Sequence, residues 1–188
     1  MVGRFSRLTF RCTAVVFLCV WSANVPARQG EAGWEALPDI LARIVPPEFP
    51  DRTLCITDFG ARGDSTTDCT AAIREAITMC AMAGGGHVTV PPGVYRTGPI
   101  HLKSNVNLHV SEGATVLFST EPVCYAGLVL TRWEGVECIN YSPLIYALDQ
   151  ENIAITGAGV LDGQASKDTW WSWKGSREYG WNDGMPDQ

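Results

Sequence analysis

The chain has 188 residues, of which 46% are hydrophobic and 18% charged, so it is long and apolar enough to fold as an ordered globular protein. It carries 14 basic and 20 acidic residues, a formal net charge of −6. An acidic chain lacks the concentrated positive surface that nucleic-acid binding needs, so we expect no nucleic-acid partner.

The first 27 residues have the pattern of a secretion signal peptide. Three arginines precede the apolar run from Cys12 to Trp21, and a cleavage site is predicted after Ala27. The run is too short to cross a bilayer, which needs roughly 20 residues. We therefore predict a secreted protein, extracellular or periplasmic, without stable membrane association. Three of the 14 basic residues lie in this signal, which leaves 11 against 20 acidic ones.

Residues 28–53 are predicted to be a lead-in segment. Apolar residues recur at helical spacing from Trp34 to Ile44, and Pro38 suits the first turn of a helix. The prolines of VPPEFP (Val45–Pro50) end any such helix. A short strand is predicted next, over Leu54–Thr57.

The stretch DFGARGDSTTDCTAAIREAI (Asp58–Ile77) places three aspartates and two glycines ahead of an amphipathic helix. Asp68, or Thr67 before it, can accept hydrogen bonds from the free N–H groups of a first helical turn. Apolar residues at positions i, i+3, i+4 and i+7 from Ile73 to Cys80 predict the buried face. The three glycines that begin at Gly84 end the helix.

Two other interpretations of the same region fail on geometry. A calcium loop of the EF-hand type beginning at Asp64 needs a glycine at its sixth position, where this chain has Cys69. Cys69 and Cys80 would lie three helical turns apart, about 16 Å, which is too far for a disulfide. Cys12 and Cys19 belong to the signal. We expect the other five cysteines to be mostly buried apolar residues, with at most one bridge.

After Gly86 the sequence becomes a series of short alternating or apolar runs separated by Gly, Asn, Ser or Pro. The runs are HVTV, GVYRTG, PIHLKS, NVNLHV, ATVLFS, PLIYA, NIAITG and GVLDG. No second long helix interrupts them, which argues against a doubly wound α/β sheet, and strands this short and numerous favour a sandwich, a barrel or a β-solenoid. The three-residue gap Ser111–Gly113 suits either a hairpin or the sharp corner of a coil.

Five stretches in this order resemble the N-terminal third of glycoside hydrolase family 28, the polygalacturonases and related pectin hydrolases, in its bacterial branch. They are Asp58–Ile77, Gly84–Ser119, TRWEGVECINYSPLIYA (Thr131–Ala147), NIAITGAGVLDGQ (Asn152–Gln164) and WWSW (Trp170–Trp173). The resemblance implies an all-β fold, a right-handed parallel β-helix whose N-terminal helix caps the first coil. Residues 54–188 would then be that cap and the first coils of an incomplete β-helix.

The resemblance also implies structural roles for the residues of the opening. Asp58, Gly60, Gly63 and Asp64 would shape a tight turn, and Asp68 would cap the helix. Gly163, after Asp162, would form a turn that follows a strand.

The catalytic motifs of the family are Asn-Thr-Asp, Asp-Asp, Gly-His-Gly and Arg-Ile-Lys, and none of them occurs in this sequence. We therefore assign no catalytic residue within 1–188, and we predict no metal and no cofactor. Candidates for substrate contact are Arg132, Glu134, Trp170 and Trp171. Each has a structural alternative: an ion pair or a loop hydrogen bond for the first two, and core packing for the tryptophans.

The function implied by the resemblance is hydrolysis of the α-galacturonosidic bonds of pectin by inverting acid/base catalysis, with aspartates downstream of residue 188. The expected partner is a galacturonan-type polysaccharide, and the enzyme is expected to be a monomer. Two alternatives are a non-catalytic β-helix that binds carbohydrate or acts as an adhesin, and a polysaccharide lyase. The 188-residue chain alone is expected to be inactive and to aggregate, because no closing cap is recognisable after Arg177.

Overall fold

The computed structural model describes residues 33–171, and the chain separates into two units between Val45 and Pro46. In the first unit a 3₁₀ turn, Trp34–Ala36, leads into helix α1, Leu37–Leu41, with Pro38 in its first turn. The helix is shorter than the predicted Trp34–Ile44. Its end tightens into i to i−3 bonds ahead of Pro46, because a residue before proline disfavours the α conformation. The predicted signal peptide lies outside the described residues.

In residues 46–171, the described part of the second unit, there are twelve short strands and one longer helix, α2, Thr70–Met82. The strands are β1 Thr53–Cys55, β2 Asp64–Asp68, β3 Gly86–Val90, β4 Gly93–Thr97, β5 Ile100–His101, β6 Val106–Val110, β7 Ala114–Phe118, β8 Val129–Trp133, β9 Val136–Asn140, β10 Ile145–Tyr146, β11 Ala154–Thr156 and β12 Val160–Asp162. All eight runs predicted after Gly86 form strands. The hairpin β8–β9 and strand β2 were not predicted.

Three parallel sheets run along the unit, and the chain visits them in turn. Sheet A has the order β1-β3-β6-β11, sheet B has β2-β4-β7-β12, and sheet C pairs β5 with β10. Coil 1 holds β1 and β2, coil 2 holds β3 to β5, coil 3 holds β6, β7 and β10, and coil 4 holds β11 and β12. This arrangement is a parallel β-helix, and the Ser111–Gly113 gap is a corner between sheets A and B.

The core consists of inward side chains stacked in register from coil to coil. In sheet A, Val88 lies over Leu108 and Val90 over Val110; in sheet B, Tyr95 lies over Val116. All of these side chains are buried. Each such apolar side chain contributes about 1.5–3 kcal/mol when it is fully buried. Because strand side chains alternate between faces, the intervening residues of each strand point outward.

Helix α2 closes the first coil, as predicted. Its buried residues form the expected face: Ala72, Ile73, Ala76, Ile77 and Cys80. This face packs on β1, β3, β5 and β6 and on the 3₁₀ turn Ile56–Phe59. The helix begins at Thr70 with Cys69 at the cap position, one residue after the predicted cap Asp68, because Asp64–Asp68 extends as β2 and pairs with β4.

The hairpin β8–β9 is an insertion into coil 3. In coil 2 only Gly98 and Pro99 connect sheet B to sheet C, whereas in coil 3 the same connection runs over residues 119–144. Glu134 and Gly135 join the two strands with φ angles of 48° and 88°, the left-handed pair that a type I′ hairpin turn requires. Most side chains on both faces of the hairpin are exposed. Neither face has to be apolar, so the two strands do not show the alternation of apolar and polar residues that would have predicted them.

The five cysteines among the described residues are all free. Cys69 and Cys80 are buried, and burial raises the pKa of both thiols. Cys55 and Cys138 are half-buried and Cys124 is exposed. The expectation of mostly buried cysteines therefore holds for Cys69 and Cys80, is met only in part by Cys55 and Cys138, and is wrong for Cys124, which lies in the insertion before β8.

Candidate functional site

Both carboxylate oxygens of Asp64 accept hydrogen bonds from residues of the same turn. Its Oδ1 accepts the backbone N–H groups of Thr67 (2.7 Å) and Thr66 (2.9 Å), and its Oδ2 accepts the Thr67 hydroxyl (2.7 Å). These bonds, those from Thr67 foremost, hold the pKa of Asp64 far below its usual range. Asp64 is therefore a structural acceptor and is unsuited to act as a general acid.

Asp68 binds the start of α2. Its Oδ1 accepts the Thr70 N–H (2.9 Å) and the Thr70 hydroxyl (2.5 Å). The bond from the hydroxyl, aided by the charge of Arg96, lowers the pKa of Asp68. The N-cap position itself is Cys69, which makes no side-chain cap bond, so the predicted cap residue lies one position earlier and still satisfies the first helical N–H.

The other opening residues lie in the first turns of the coil. Asp58 is exposed in the 3₁₀ turn, and Gly60 ends that turn with φ 94°. Gly63 lies close to the next coil: a Cβ there would be 3.1 Å from the Cα of Gly93 and 3.0 Å from the ring of Tyr95. Gly63 therefore allows the backbones of coils 1 and 2 to approach.

The turn after β12 joins coil 4 to coil 3. Asp162 accepts the Gln164 N–H (2.8 Å), and the Gln164 side-chain amide donates to the carbonyl of Phe118 (2.5 Å). The carbonyl of Gly163 accepts the indole N–H of Trp170 (2.5 Å). These bonds place Asp162 and Gly163 in a turn.

The two tryptophan candidates differ in their surroundings. The ring of Trp170 packs edge-on against the buried ring of Tyr125, with centroids 5.8 Å apart. Trp171 is 42% exposed and presents a flat apolar surface. Trp173 lies outside the described residues.

Arg132 and Glu134 lie on the hairpin, and they do not pair with each other. Arg132 Nη2 is 3.0 Å from Oε1 of Glu137, its neighbour across the two strands. The side chains of this ion pair are 66% and 70% exposed. Glu134 occupies the turn. Glu137 was not among the predicted residues, because only the strand register brings it opposite Arg132.

Several contacts fix the hairpin to the β-helix. The Tyr146 hydroxyl donates to the carbonyl of Leu130 (2.6 Å), and the Ser142 N–H donates to the carbonyl of Tyr125 (3.0 Å). Nε2 of His101, on coil 2, is 2.9 Å from the Ser142 hydroxyl, and burial lowers the pKa of His101. The sequence gives no signal for this cluster, since its members come from three separate segments.

All four substrate-contact candidates lie at one edge of the β-helix. Arg132 and Glu134 follow β7, and Trp170 and Trp171 follow β12, the adjacent strand of sheet B. The contact of Tyr125 with Trp170 joins the two connections. We call this edge, residues 119–144 and 163–171, the sheet B rim.

The outer face of sheet A is occupied by the chain itself. Phe49 packs edge-on against His87 of coil 2, and the carbonyl of Glu48 accepts a bond from the side chain of Asn152 at the start of coil 4. Beneath them, Asn107 is buried and hydrogen-bonds to His87 and Thr156. The sheet B rim is therefore a more accessible surface than sheet A.

Residues 33–171 contain no group of three or more His, Cys, Asp or Glu side chains placed to hold a metal ion. In the same residues, no helix is long and apolar enough to cross a membrane.

Comparison with known proteins finds similarity to a pectate lyase-like family and to polygalacturonases. Residues 54–114 match the family described as rhamnogalacturonase A/epimerase, pectate lyase-like. The crystal structure of a hyperthermoactive exopolygalacturonase from Thermotoga maritima superimposes with a TM-score of 0.76 and 51% sequence identity, over 82% of this chain. The chain is polygalacturonase-like. Its β-helix is right-handed, as in the solved polygalacturonases that it resembles.

Two curated relatives are similar in sequence to this chain over shorter stretches. The exo-poly-alpha-D-galacturonosidase of Dickeya chrysanthemi is 35% identical over 124 residues, 62% of this chain. The plasmin and fibronectin-binding protein A of Streptococcus pneumoniae is 43% identical over 77 residues, 40% of this chain. This polygalacturonase-like chain spans only 34% of the Thermotoga chain, 20% of the Dickeya protein and 11% of the Streptococcus protein.

Proposed function

We propose that this chain is part of a secreted, pectin-degrading hydrolase that cleaves α-galacturonosidic bonds in a galacturonan-type polysaccharide. The observation that carries the proposal is the 51% identity to an exopolygalacturonase across 82% of the chain. Two of the relatives are exo-acting by name, so release of single sugars from chain ends is the mode to test first. The enzyme works as a monomer, without a cofactor, a nucleic acid or stable membrane association.

The proposal gives the sheet B rim the role of a substrate-binding surface. Arg132 offers a planar cation that suits the carboxylate of a uronic acid, and Trp171 offers an exposed flat face. Glu134, which would repel a polyanion, serves the hairpin turn, and Trp170 serves packing. Inverting hydrolysis needs a carboxylic acid and a carboxylate base on opposite sides of the bond, and we assign neither to residues 1–188.

Activity assays test the proposal. The protein translated from the whole reading frame that contains this chain is expected to release reducing ends from polygalacturonate, with inversion at the anomeric carbon and no loss of activity in a chelator. Unsaturated, ultraviolet-absorbing products that vanish with the chelator would identify a lyase instead. The 188-residue chain assayed alone is expected to release none.

A second candidate is a non-catalytic binding protein, favoured by the similarity to the plasmin and fibronectin-binding protein A. Immobilised whole protein that retains fibronectin or plasmin and leaves polygalacturonate uncut would support this candidate. Cleavage of polygalacturonate without retention of either protein would support the hydrolase.

A further inference from the structure

The ion pair on the hairpin has the geometry of a contact that a ligand can replace. Arg132 and Glu137 meet through a single contact, Nη2 to Oε1 at 3.0 Å, and both side chains are mostly exposed. Exposed pairs of this kind contribute little to stability, so exchange of one carboxylate for another costs little. A guanidinium has five N–H donors in a planar fork, and this single contact leaves most of them available.

We propose that Glu137 occupies Arg132 as an internal stand-in for a substrate carboxylate, which a uronate of the incoming polysaccharide displaces. This inference rests on the proposed function, because it takes the ligand to be a galacturonan. It adds a residue, Glu137, that acts as a competitor, and it makes the hairpin selective for uronates that carry a free carboxylate.

The hairpin is held ready for this exchange. Its strand β8 is bonded to the β-helix through the Tyr146 hydroxyl and the carbonyl of Leu130, two residues before Arg132. The return strand leads to Ser142, whose contacts with Tyr125 and His101 fix the base of the insertion. The backbone that carries Arg132 is thus positioned before a ligand arrives, so little ordering is needed on binding.

The charges nearby decide which ligand can compete. Glu121, Glu134 and Glu137 are the acidic side chains of the insertion, and Arg132 is its basic one. At rest the hairpin therefore attracts no anion at long range. A ligand that displaces Glu137 must offer a carboxylate able to form the stronger two-pronged bond with the fork of Arg132. A methyl-esterified uronate has no such group and is not expected to bind there.

The test measures binding without turnover. The 188-residue chain is immobilised on a biosensor, and a size-defined oligogalacturonate is titrated at constant salt. Glu137→Gln frees Arg132 and is expected to tighten binding, by up to about fivefold for a surface pair. Arg132→Gln is expected to weaken binding roughly tenfold or more, and the double variant to equal Arg132→Gln.

Matched controls separate this effect from net charge. Glu75→Gln and Arg74→Gln make the same charge changes on the exposed side of α2, and neither is expected to alter the affinity by more than the error. Fully methyl-esterified oligogalacturonate is expected to show no difference between the parent chain and Glu137→Gln. Circular dichroism of each variant verifies that the β-helix is retained.

Three results would overturn the inference. If Glu137→Gln leaves the affinity unchanged while Arg132→Gln weakens it, Arg132 is a ligand contact and Glu137 is not a competitor. If neither substitution changes the affinity, the ligand binds elsewhere, and the hydrolase proposal is unaffected. No binding of the oligogalacturonate by the parent chain would overturn the inference and also count against a galacturonan substrate, which the hydrolysis assay examines independently.

Discussion

At the scale of single residues, two of the three aspartates of the opening accept hydrogen bonds from backbone N–H groups two or three residues further along the chain. Asp64 gathers the N–H groups of Thr66 and Thr67, and Asp68 gathers that of Thr70. Both carboxylates have lowered pKa values because the bonds favour the charged form. Asp64 and Asp68 therefore stabilise local structure, although a group of three aspartates in the sequence could suggest a reaction centre.

The first prediction concerns Asp64 and acid stability. Its folded-state pKa lies below the ordinary value of 3.8, so its contribution is fully present above that value and is lost as the pH falls below it. Asp64→Asn is therefore expected to weaken the dependence of the unfolding free energy on pH below about 4. Urea unfolding at a series of pH values measures this slope.

Asp58→Asn is the control for that series, because Asp58 is exposed and makes none of the side-chain hydrogen bonds found in residues 33–171. It is expected to leave the slope unchanged. Equal slopes for Asp64→Asn and the parent chain would contradict the role assigned to Asp64.

The second prediction concerns Thr70, which links the cap to coil 2. Its hydroxyl accepts the N–H of buried Gly98 (2.7 Å) while donating to Asp68 (2.5 Å). Thr70→Val keeps the shape and leaves the Gly98 N–H without its acceptor, at an expected cost of about 1–3 kcal/mol in unfolding free energy. Chemical denaturation measures it.

Thr78→Val is a matched control within the same helix. The Thr78 hydroxyl donates to the carbonyl of Arg74, one turn earlier, and its removal is expected to change stability by less than about 0.5 kcal/mol. Similar losses for the two variants would show that Thr70 has no special role.

At the scale of elements, the cap helix is fixed at both ends by residues from neighbouring turns. Asp68 binds its first N–H, and Arg52 binds its C-terminal end: Nη1 donates to the carbonyls of Ala83 (2.5 Å) and Gly85 (2.9 Å). A cation at a helix C-terminus also interacts favourably with the helix dipole. Since Arg52 directly precedes β1, the same residue ties the cap to coil 1.

The third prediction is that Arg52→Met loosens the C-terminal turn of α2. The loss of a charged donor to two carbonyls is expected to lower the unfolding free energy by about 1–2 kcal/mol and to speed amide exchange at the end of the helix. Hydrogen exchange measured by mass spectrometry localises the change. Arg74→Met, on the exposed face of the same helix, is expected to leave exchange unaltered; equal effects would contradict the assignment.

At the scale of the whole molecule, the first and the last described coils of the β-helix differ in how far their inward side chains are buried. Helix α2 covers coil 1, whereas the inward side chains of coil 4 are partly exposed: Ile155 at 41% and Leu161 at 40%. Strands β11 and β12 also present unpaired backbone groups along their outer edges within the described residues. Exposed edges of this kind template association with another chain.

The fourth prediction is that the 188-residue chain self-associates through coil 4. Leu161→Gln, which places a polar side chain on the inward face of the last described coil, is expected to reduce association in sedimentation velocity. Val160→Gln changes the neighbouring, outward residue and is expected to have little effect. A monomeric parent chain at micromolar concentration would contradict the prediction, and melting curves of both variants verify their folding.

The strands of the coils were predictable because each one has a simple local pattern. Val106, Leu108 and Val110 alternate with polar residues and are bounded by turn residues, and the same holds for Ala114 to Phe118. The cap helix was predictable from its 3.6-residue period. The lead-in helix was predicted too long. Its apolar residues have helical spacing, but they are exposed in the structure, so no packing of an apolar face extends the helix.

The candidate site was only partly predictable. The sequence marked Arg132, Glu134, Trp170 and Trp171, yet it gave Arg132 no partner and did not separate the packed tryptophan from the exposed one. Glu137 becomes the partner because a two-residue turn at Glu134 and Gly135 sets the register of the hairpin. This register requires positive φ angles at Glu134 and Gly135. Glutamate rarely adopts a positive φ, so the residue types at the turn do not predict the register.

The sequence by itself determined the elements: short strands with alternating burial, one amphipathic cap, and turns at glycine and asparagine, since these depend on neighbouring residues along the chain. The tertiary structure alone decided which strands pair, that Ser111–Gly113 is a corner, and that residues 119–144 bring Arg132 opposite Glu137. The strand pairing and the corner depend on contacts between residues 20 or more positions apart, such as Val88 and Leu108. The position of Arg132 opposite Glu137 depends on the φ angles of Glu134 and Gly135, and the local pattern of apolar residues encodes neither.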